Sequence, residues 1–254
     1  MPVHGEGAAV NRVTWLGHST VVIDVDGARL VTDPALRRRI WHLRRSEAVS
    51  SAAVGELDGV LISHAHFDHL DLGSLDRFDR SVAVVVPEGA GVLLRRRGFA
   101  HVLEVAAGDE LELGGVRVRA THAEHAPGRG PFSARSAALG YVVSGSLAVY
   151  FAGDTDLFEG MAKLRPLDLA LLPVWGWGPR LPVGHLDPSR AAEALRLLCP
   201  RAAVPIHWGT FRAPFAPRSG SAPALEFARA AALLAPHVKI HTLRIGESLA
   251  LPST

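Results

Sequence analysis

Cysteine and long apolar runs are nearly absent from this chain of 254 residues. Cys199 is the only cysteine, which excludes an intrachain disulfide and any metal centre built from several thiolates. No run approaches the roughly 18 uninterrupted apolar residues of a membrane helix, so we expect no stable membrane insertion. The N-terminal sequence MPVHGEGAAVNRVTWLG has no apolar stretch behind a basic start, which predicts a cytoplasmic protein without a secretory signal.

Lysine is also scarce, since Lys163 and Lys239 are the only two, and the positive charge comes mainly from arginine. The net charge is +2, and one basic run, RRRIWHLRR, occupies residues 37–45. This run is either an anion-binding element or a solvated face, and the sequence leaves both open. The chain does not combine basic and aromatic residues in a nucleic-acid-binding module, so we do not expect a nucleic acid as partner. The oligomeric state is left open.

Short apolar runs rich in valine, separated by glycine and proline, predict many strands and few helices. No low-complexity linker divides the chain, which predicts a single α/β (α+β) domain over residues 1–254. Helices are predicted at 187–200, with Asp187 as its cap and Pro200 at its end, and at 222–236. A further helix is predicted within residues 87–98, and buried strands are predicted at 58–64, 81–87, 167–173 and 202–207.

Two segments share one pattern, in which an apolar strand, a tight turn and a second apolar strand lead to an aspartate. Residues 18–33 turn at Asp26-Gly27 and end at Asp33. Residues 140–154 turn at Ser144-Gly145 and end at Asp154. Glycine accepts the positive φ that a tight turn needs, so both segments predict hairpins. The similarity indicates two similar halves that each deliver an aspartate to a shared site.

Histidine is concentrated in LISHAHFDHLD, residues 61–71, which contains three of the chain's 13 histidines. In extended chain, side chains two residues apart point the same way, so His64 and His66 can converge on one ion. Asp68 and His69 are adjacent and diverge, which suits a second ion beside the first. Imidazole and carboxylate without thiolate fit zinc, and also iron, manganese or nickel. A polar loop with solvated imidazoles explains neither the density nor the position after a buried strand.

The hexapeptide HAHFDH matches the H-x-H-x-D-H signature of the metallo-β-lactamase superfamily, which this chain resembles along nearly its whole length. The further matching segments are AEHAP, YFAGDTD and PIHWGTF, in that order. The opening, WLGHSTVVI followed by VTDP, resembles the branch that contains the ascorbate-6-phosphate lactonase and the N-acyl-phosphatidylethanolamine phospholipase D. The resemblance implies a four-layer αββα sandwich of two similar halves, with a site for two divalent metal ions at one edge of the paired sheets.

The resemblance also implies a ligand set. One metal would be held by His64, His66 and His125. The other would be held by Asp68, His69 and His207, with Asp154 between the two. His122, three residues before His125, is the alternative for the third position, although the superfamily pattern favours His125. Asp33 would orient ligands by hydrogen bonds.

Other residues are expected near the substrate. His18 and His185 lie in segments that resemble this branch, LGHST and GHLDPSRAA, and are candidate catalytic or ligand-orienting residues together with Asp68. Trp175 and Trp177 are candidates for a pocket that takes an apolar or flat group, or they pack beneath their own loop. Arg129 is a candidate for an anionic substrate group, with a surface role as the alternative.

The implied chemistry is hydrolysis. Two divalent ions about 3.5–4 Å apart share a water molecule and lower its pKa, which creates a nucleophile at neutral pH. The predicted substrate is a small metabolite, expected to be anionic, with an ester, lactone, amide or phosphodiester bond. The alternatives are a nuclease of the same superfamily and a metal-binding protein without turnover.

Overall fold

The computed structural model describes residues 10–125, 136–214 and 220–252. Within these ranges the chain forms two sheets of seven strands and one of three, and we number the strands along the chain. In spatial order the first sheet contains β17 (Ser248–Ala250), β1 (Arg12–Gly17), β2 (Thr20–Val25), β3 (Ala28–Thr32), β6 (Gly59–Leu61), β7 (Ala83–Pro87) and β8 (Val102–Val105). The second contains β16 (Lys239–Ile240), β14 (Ala202–Ile206), β13 (Leu169–Pro173), β12 (Ala148–Phe151), β11 (Leu139–Ser144), β10 (Val116–His122) and β9 (Glu110–Leu113).

A small third sheet consists of β15 (Phe211–Arg212), β5 (Leu43–Arg45) and β4 (Arg39–Ile40). The α-helices of the described ranges are α1 (Leu72–Leu75), α2 (Gly91–Arg95), α3 (Pro188–Leu198) and α4 (Ala222–Leu234), and 3₁₀ turns lie at Ser51–Ala53 and Glu159–Leu164. Among the described residues, no helix combines the length and the apolar character that crossing a bilayer requires.

The first large sheet is apolar on both faces, so other layers of the structure must cover both of them. In β2, Val21 and Ile23 belong to the core between the two large sheets, whereas Val22 belongs to a second core that includes α1 and α2 residues. Successive side chains of a strand point to opposite faces, so one sheet contributes to both cores. The core between the sheets extends to residues of α3 and α4. The layers are therefore helix, sheet, sheet and helix, which confirms the predicted αββα sandwich.

The elements match the sequence predictions, with shorter bounds in several places. Asp187 caps α3 by accepting a hydrogen bond from the backbone N–H of Arg190. The helix ends at Leu198 because Cys199 adopts a left-handed conformation, with φ of +46°. The helix predicted within residues 87–98 is reduced to α2. In the second hairpin the turn is one residue longer than predicted, since Ser144 pairs with Ala148.

The basic run 37–45 divides between three environments. Arg37 pairs with Asp71, with 2.8 Å between Nε and Oδ2. Arg45 is buried and donates to the backbone carbonyl groups of Leu16, Ala35 and Glu47. Burial lowers the pKa of Arg45 to about 10.

Arg39 and Arg44 of the run form a row on the small sheet with Arg212. Arg39 lies opposite Arg44, and Arg44 lies opposite Arg212 on the next strand. Among the described residues, none of these three forms an ion pair. Whether this row binds an anion stays open.

The C-terminal ends of strands deliver the predicted site residues. Asp33 follows β3, His64 comes shortly after β6, Asp154 follows β12, and His207 follows β14 directly. The backbone N–H of Leu139 donates to the carbonyl oxygen of Ser63 at 2.9 Å, which ties the two sheets together beside these ends. The site therefore lies at one edge of the sandwich, where strands of both sheets finish.

The backbone at this edge requires glycine at position 153. Its φ is +63°, and a Cβ there would lie 2.7 Å from the carbonyl oxygen of Leu139 and from Cβ of Ser63. We expect Gly153→Ala to lower the free energy of unfolding by about 2–5 kcal/mol, since left-handed strain and a steric clash add. Urea unfolding measures the change.

Gly89→Ala is the matched control. Gly89 also has a positive φ, +84°, but within the described residues an added Cβ meets no atom closer than 4 Å. This substitution should cost about 1–2 kcal/mol, the strain alone. Equal losses for the two variants would contradict the steric explanation.

Candidate metal centre

Three imidazoles converge to form the first ligand group. Nδ1 of His66 lies 2.8 Å from Nε2 of His64 and 3.4 Å from Nε2 of His125. Nitrogens at two corners of a tetrahedral zinc site lie about 3.3 Å apart, since each Zn–N bond is about 2.0–2.1 Å. His122 is not part of this group, because its side chain is 57% exposed and lies beside Glu124. Of the two alternatives for the third position, the structure brings His125 to the site.

A second group lies beside the first and contains carboxylates. His69 and His207 face each other with 3.3 Å between their Nε2 atoms, and Oδ2 of Asp68 lies 3.8 Å from Nε2 of His69. Asp154 reaches both rings, since its Oδ2 lies 3.2 Å from His69 and its Oδ1 lies 3.2 Å from His207. Asp154 also lies within 4.8 Å of ligand atoms of His125 and His185. This position is between the two groups.

The imidazoles are oriented by hydrogen bonds on their outer sides. In four of them Nδ1 contacts an oxygen outside the cluster, and these pairs are His64 with Ser63 Oγ (2.9 Å), His69 with Asp33 Oδ2 (2.7 Å), His125 with the Gly184 carbonyl (2.8 Å) and His207 with the Trp175 carbonyl (2.6 Å). Carbonyl and carboxylate oxygens only accept, and the Ser63 hydroxyl already donates to Asp33, so each Nδ1 is the donor. In the neutral form of these rings, Nε2 then presents its lone pair to the cluster, as a metal ligand does.

Burial keeps most of these rings neutral. Desolvation is the largest cause that lowers the pKa of His66 to about 4 and that of His207 to about 3. It also lowers the pKa of His64 and of His125. His69 differs, because the charges of Asp154, Asp68 and Asp33 outweigh its burial and raise its pKa. Neutral imidazole is the form that binds metal, so four rings are ready to coordinate.

The carboxylates of the site have histidines as their partners among the described residues. Asp33, Asp68 and Asp154 are buried, and among the described residues no lysine or arginine forms an ion pair with them. Oδ1 of Asp154 is buried and accepts no hydrogen bond within the described part of the chain. Buried negative charge is costly unless it is paired or bound to metal. The donor set therefore fits divalent cations.

Unusual backbone conformations place several of these residues. His18, Asp33 and His207 have φ of +54°, +33° and +63°. Residues with side chains adopt such angles at a cost, and they do so mainly where function fixes a geometry. The backbone N–H of His207 donates to the His18 carbonyl at 2.9 Å, and that of His18 donates to Thr210 Oγ1 at 2.6 Å. Sequence reasoning missed Thr210 and Ser63, although both lie within three residues of predicted ligands.

The remaining predicted residues lie around the cluster, with one exception. Nε2 of His18 lies 3.0 Å from Asp68 Oδ2, and Nε2 of His185 lies 3.2 Å from Asp154 Oδ2. Trp177 reaches Asp68 with its indole Nε1 at 3.0 Å. Trp175 bonds through Nε1 to Gly178 in its own loop. Arg129 falls outside the described residues.

The match of the β-lactamase superfamily domain to residues 28–208 decides the family. The chain belongs to the β-lactamase superfamily. Its relatives include the UPF0173 metal-dependent hydrolases of Caldivirga maquilingensis, 30% identical over 94% of this chain and 97% of the relative, and of Rubrobacter xylanophilus, 33% identical over 94% and 96%.

Among solved structures, Igni18, a metallo hydrolase of Ignicoccus hospitalis, is 25% identical. The match covers 96% of this chain and 99% of that one, with a TM-score of 0.74. These findings confirm the superfamily that the sequence motifs indicate. The branch within the superfamily stays a prediction.

A substitution of Asp33 tests whether hydrogen bonds on the outer sides of the imidazoles contribute to metal affinity. Asp33 accepts from Nδ1 of His69, and from the backbone N–H and hydroxyl of Ser63 at 2.7 and 2.6 Å. We expect Asp33→Asn to weaken metal binding by about 10–100-fold, because the amide accepts only through its one oxygen and its NH₂ group cannot accept the bonds made at the other position. Competition with a fluorescent chelator measures the affinity.

The control for Asp33→Asn is Asp24→Asn. Asp24 lies on β2, pairs with Arg12 of β1 and Arg29 of β3, and takes no part in the cluster. Metal affinity should stay at the wild-type value in this variant. Unchanged affinity in the Asp33 variant as well would contradict the orienting role.

Proposed function

We propose that this protein is a metal-dependent hydrolase that uses a pair of divalent ions in one domain spanning residues 1–254. Zinc is the expected ion, and manganese, iron and nickel accept the same ligands. In this proposal one ion is held by His64, His66 and His125. The other is held by Asp68, His69 and His207, and Asp154 lies between the two.

The observation that carries this proposal is the direction of the imidazoles. Outer hydrogen bonds occupy Nδ1 of His64, His69, His125 and His207, so their Nε2 atoms point into one buried space. There the Nε2 atoms of His69 and His207 lie 3.3 Å apart, and those of His64 and His125 lie 2.8 and 3.4 Å from Nδ1 of His66. Packing alone does not require so many ring nitrogens to converge, whereas a pair of cations would use them as ligands and balance the buried carboxylates.

When bound, two divalent ions polarise the scissile bond and activate water at neutral pH. The protein side chains supply orientation and proton transfer. In our proposal His185 carries a proton at Nε2, which lies 3.2 Å from Asp154 Oδ2. Burial lowers its pKa, but the hydrogen bond and charge of Asp154 outweigh burial and raise it. In our proposal this proton goes to the leaving group.

The proposed substrate is a small, anionic metabolite with an ester, lactone, amide or phosphodiester bond. The reaction class is supported by the relatives of Caldivirga maquilingensis and Rubrobacter xylanophilus, which are named metal-dependent hydrolases. The donors that support the proposed choice of ions are imidazoles and carboxylates. The only cysteine of the sequence, Cys199, lies exposed at the end of α3 and is not one of these donors. The cytoplasm remains the proposed location.

His66→Ala tests the proposal directly. Loss of one imidazole from the first group should lower the hydrolysis rate by about 100-fold or more, since the ions supply several kcal/mol of stabilisation to the transition state. Initial rates with ester, lactone and phosphodiester probes, after loading with zinc or manganese, measure the effect.

His122→Ala is the matched control, because His122 is exposed and, among the described residues, its ring contacts Glu124 and Phe158 rather than the cluster. This variant should keep wild-type activity and metal content. Full activity in the His66 variant would contradict the proposal. Tight metal uptake by the wild-type protein without turnover of any probe would favour a non-catalytic metal-binding protein.

A further inference from the structure

One oxygen of Asp68 accepts two hydrogen bonds from distant segments. Nε2 of His18 and Nε1 of Trp177 each lie 3.0 Å from Oδ2. A carboxylate oxygen only accepts, so His18 carries its proton on Nε2 and donates it to Asp68. His18 is therefore occupied as a donor, although its ring lies within 4.8 Å of the ligand atoms of the second group.

These two hydrogen bonds hold the Asp68 carboxylate beside the second ligand group, where its Oδ2 lies 3.8 Å from Nε2 of His69. We propose that Trp177 is a positioning residue that, together with His18, orients the Asp68 carboxylate for metal binding. This inference rests on the proposed function. It assigns a role to the indole N–H that differs from the substrate pocket expected from the sequence.

The packing of the Trp177 ring does not depend on its N–H group. The ring lies 5.3 Å from the ring of His42, edge to face, and 6.5 Å from that of Phe67. Phe67 is adjacent to Asp68 in the chain, so the indole is held against the same segment that it bonds. Phenylalanine at position 177 retains an aromatic ring for these contacts and removes the donor.

Trp175 offers a matched comparison two residues away. Its indole donates to the Gly178 carbonyl at 3.2 Å within the same loop, and its backbone carbonyl accepts from Nδ1 of the predicted ligand His207. Trp175→Phe therefore removes an indole N–H from the same loop without removing a contact to the cluster. The two variants separate the bond to Asp68 from a general effect on the loop.

The experiment is calorimetric titration of metal-free wild-type, Trp177→Phe and Trp175→Phe protein with zinc, with the Co²⁺ absorption spectrum as a second readout. We expect two equivalents in wild type. In Trp177→Phe, one equivalent should weaken by about 10-fold or more, the usual effect of losing an orienting hydrogen bond, and the other should be unchanged. The Co²⁺ bands of the weakened equivalent should change in intensity, and Trp175→Phe should match wild type in both readouts.

Wild-type affinity for both equivalents in Trp177→Phe would overturn the inference. Equal weakening of both equivalents, or the same loss in Trp175→Phe, would also overturn it, because the effect would then come from the loop as a whole. Wild-type protein that binds fewer than two equivalents would instead contradict the proposed pair of ions.

Discussion

Buried negative charge is the constraint on which the site depends. Asp33, Asp68 and Asp154 lie in the interior at one edge of the sandwich, and no lysine or arginine of the described ranges pairs with them. Cations in the space that the imidazoles surround would balance this charge. The proposed ions thus act in folding as well as in catalysis, since metal binding at such sites contributes to the stability of the fold.

The sandwich brings these groups together by ending strands of both sheets at one edge. Short connections after β3, β6, β12 and β14 carry Asp33 and most of the proposed ligands, so their positions follow from strand register. The loop between β13 and α3 then covers the cluster. It contacts His207 through the Trp175 carbonyl, Asp68 through Trp177, His125 through the Gly184 carbonyl, and Asp154 through His185. One segment therefore orients members of both ligand groups.

Local patterns in the sequence carried most of the predictions. Alternating apolar residues and glycine turns predicted the hairpins, and the density of histidine after a buried strand predicted the site. The two hairpins deliver Asp33 and Asp154 to the same edge of the sandwich, but the two aspartates differ in their contacts. Both follow the second strand of a hairpin. The oxygens of Asp33 accept hydrogen bonds from Ser63 and His69, whereas Asp154 lies between the two groups of candidate ligands. Neighbouring residues decide this difference, and no pattern within either hairpin contains it.

Contacts between segments that are distant in the chain could not be predicted from sequence patterns. The bonds from Trp177 to Asp68 and from His18 to Thr210 join residues 109 and 192 positions apart. Arg212 joins Arg39 and Arg44 only because β15 pairs with β5. These contacts depend on how the sheets and loops pack against each other. The periodicity of apolar residues predicts helices and strands but not this packing.

The most direct test is a crystal structure of the zinc-loaded protein with anomalous data collected at the zinc edge. The account predicts two anomalous peaks, one enclosed by His64, His66 and His125 and one beside Asp68, His69 and His207, with Asp154 between them. An anomalous map without peaks at this edge of the sandwich, or with zinc bound only elsewhere, would contradict it.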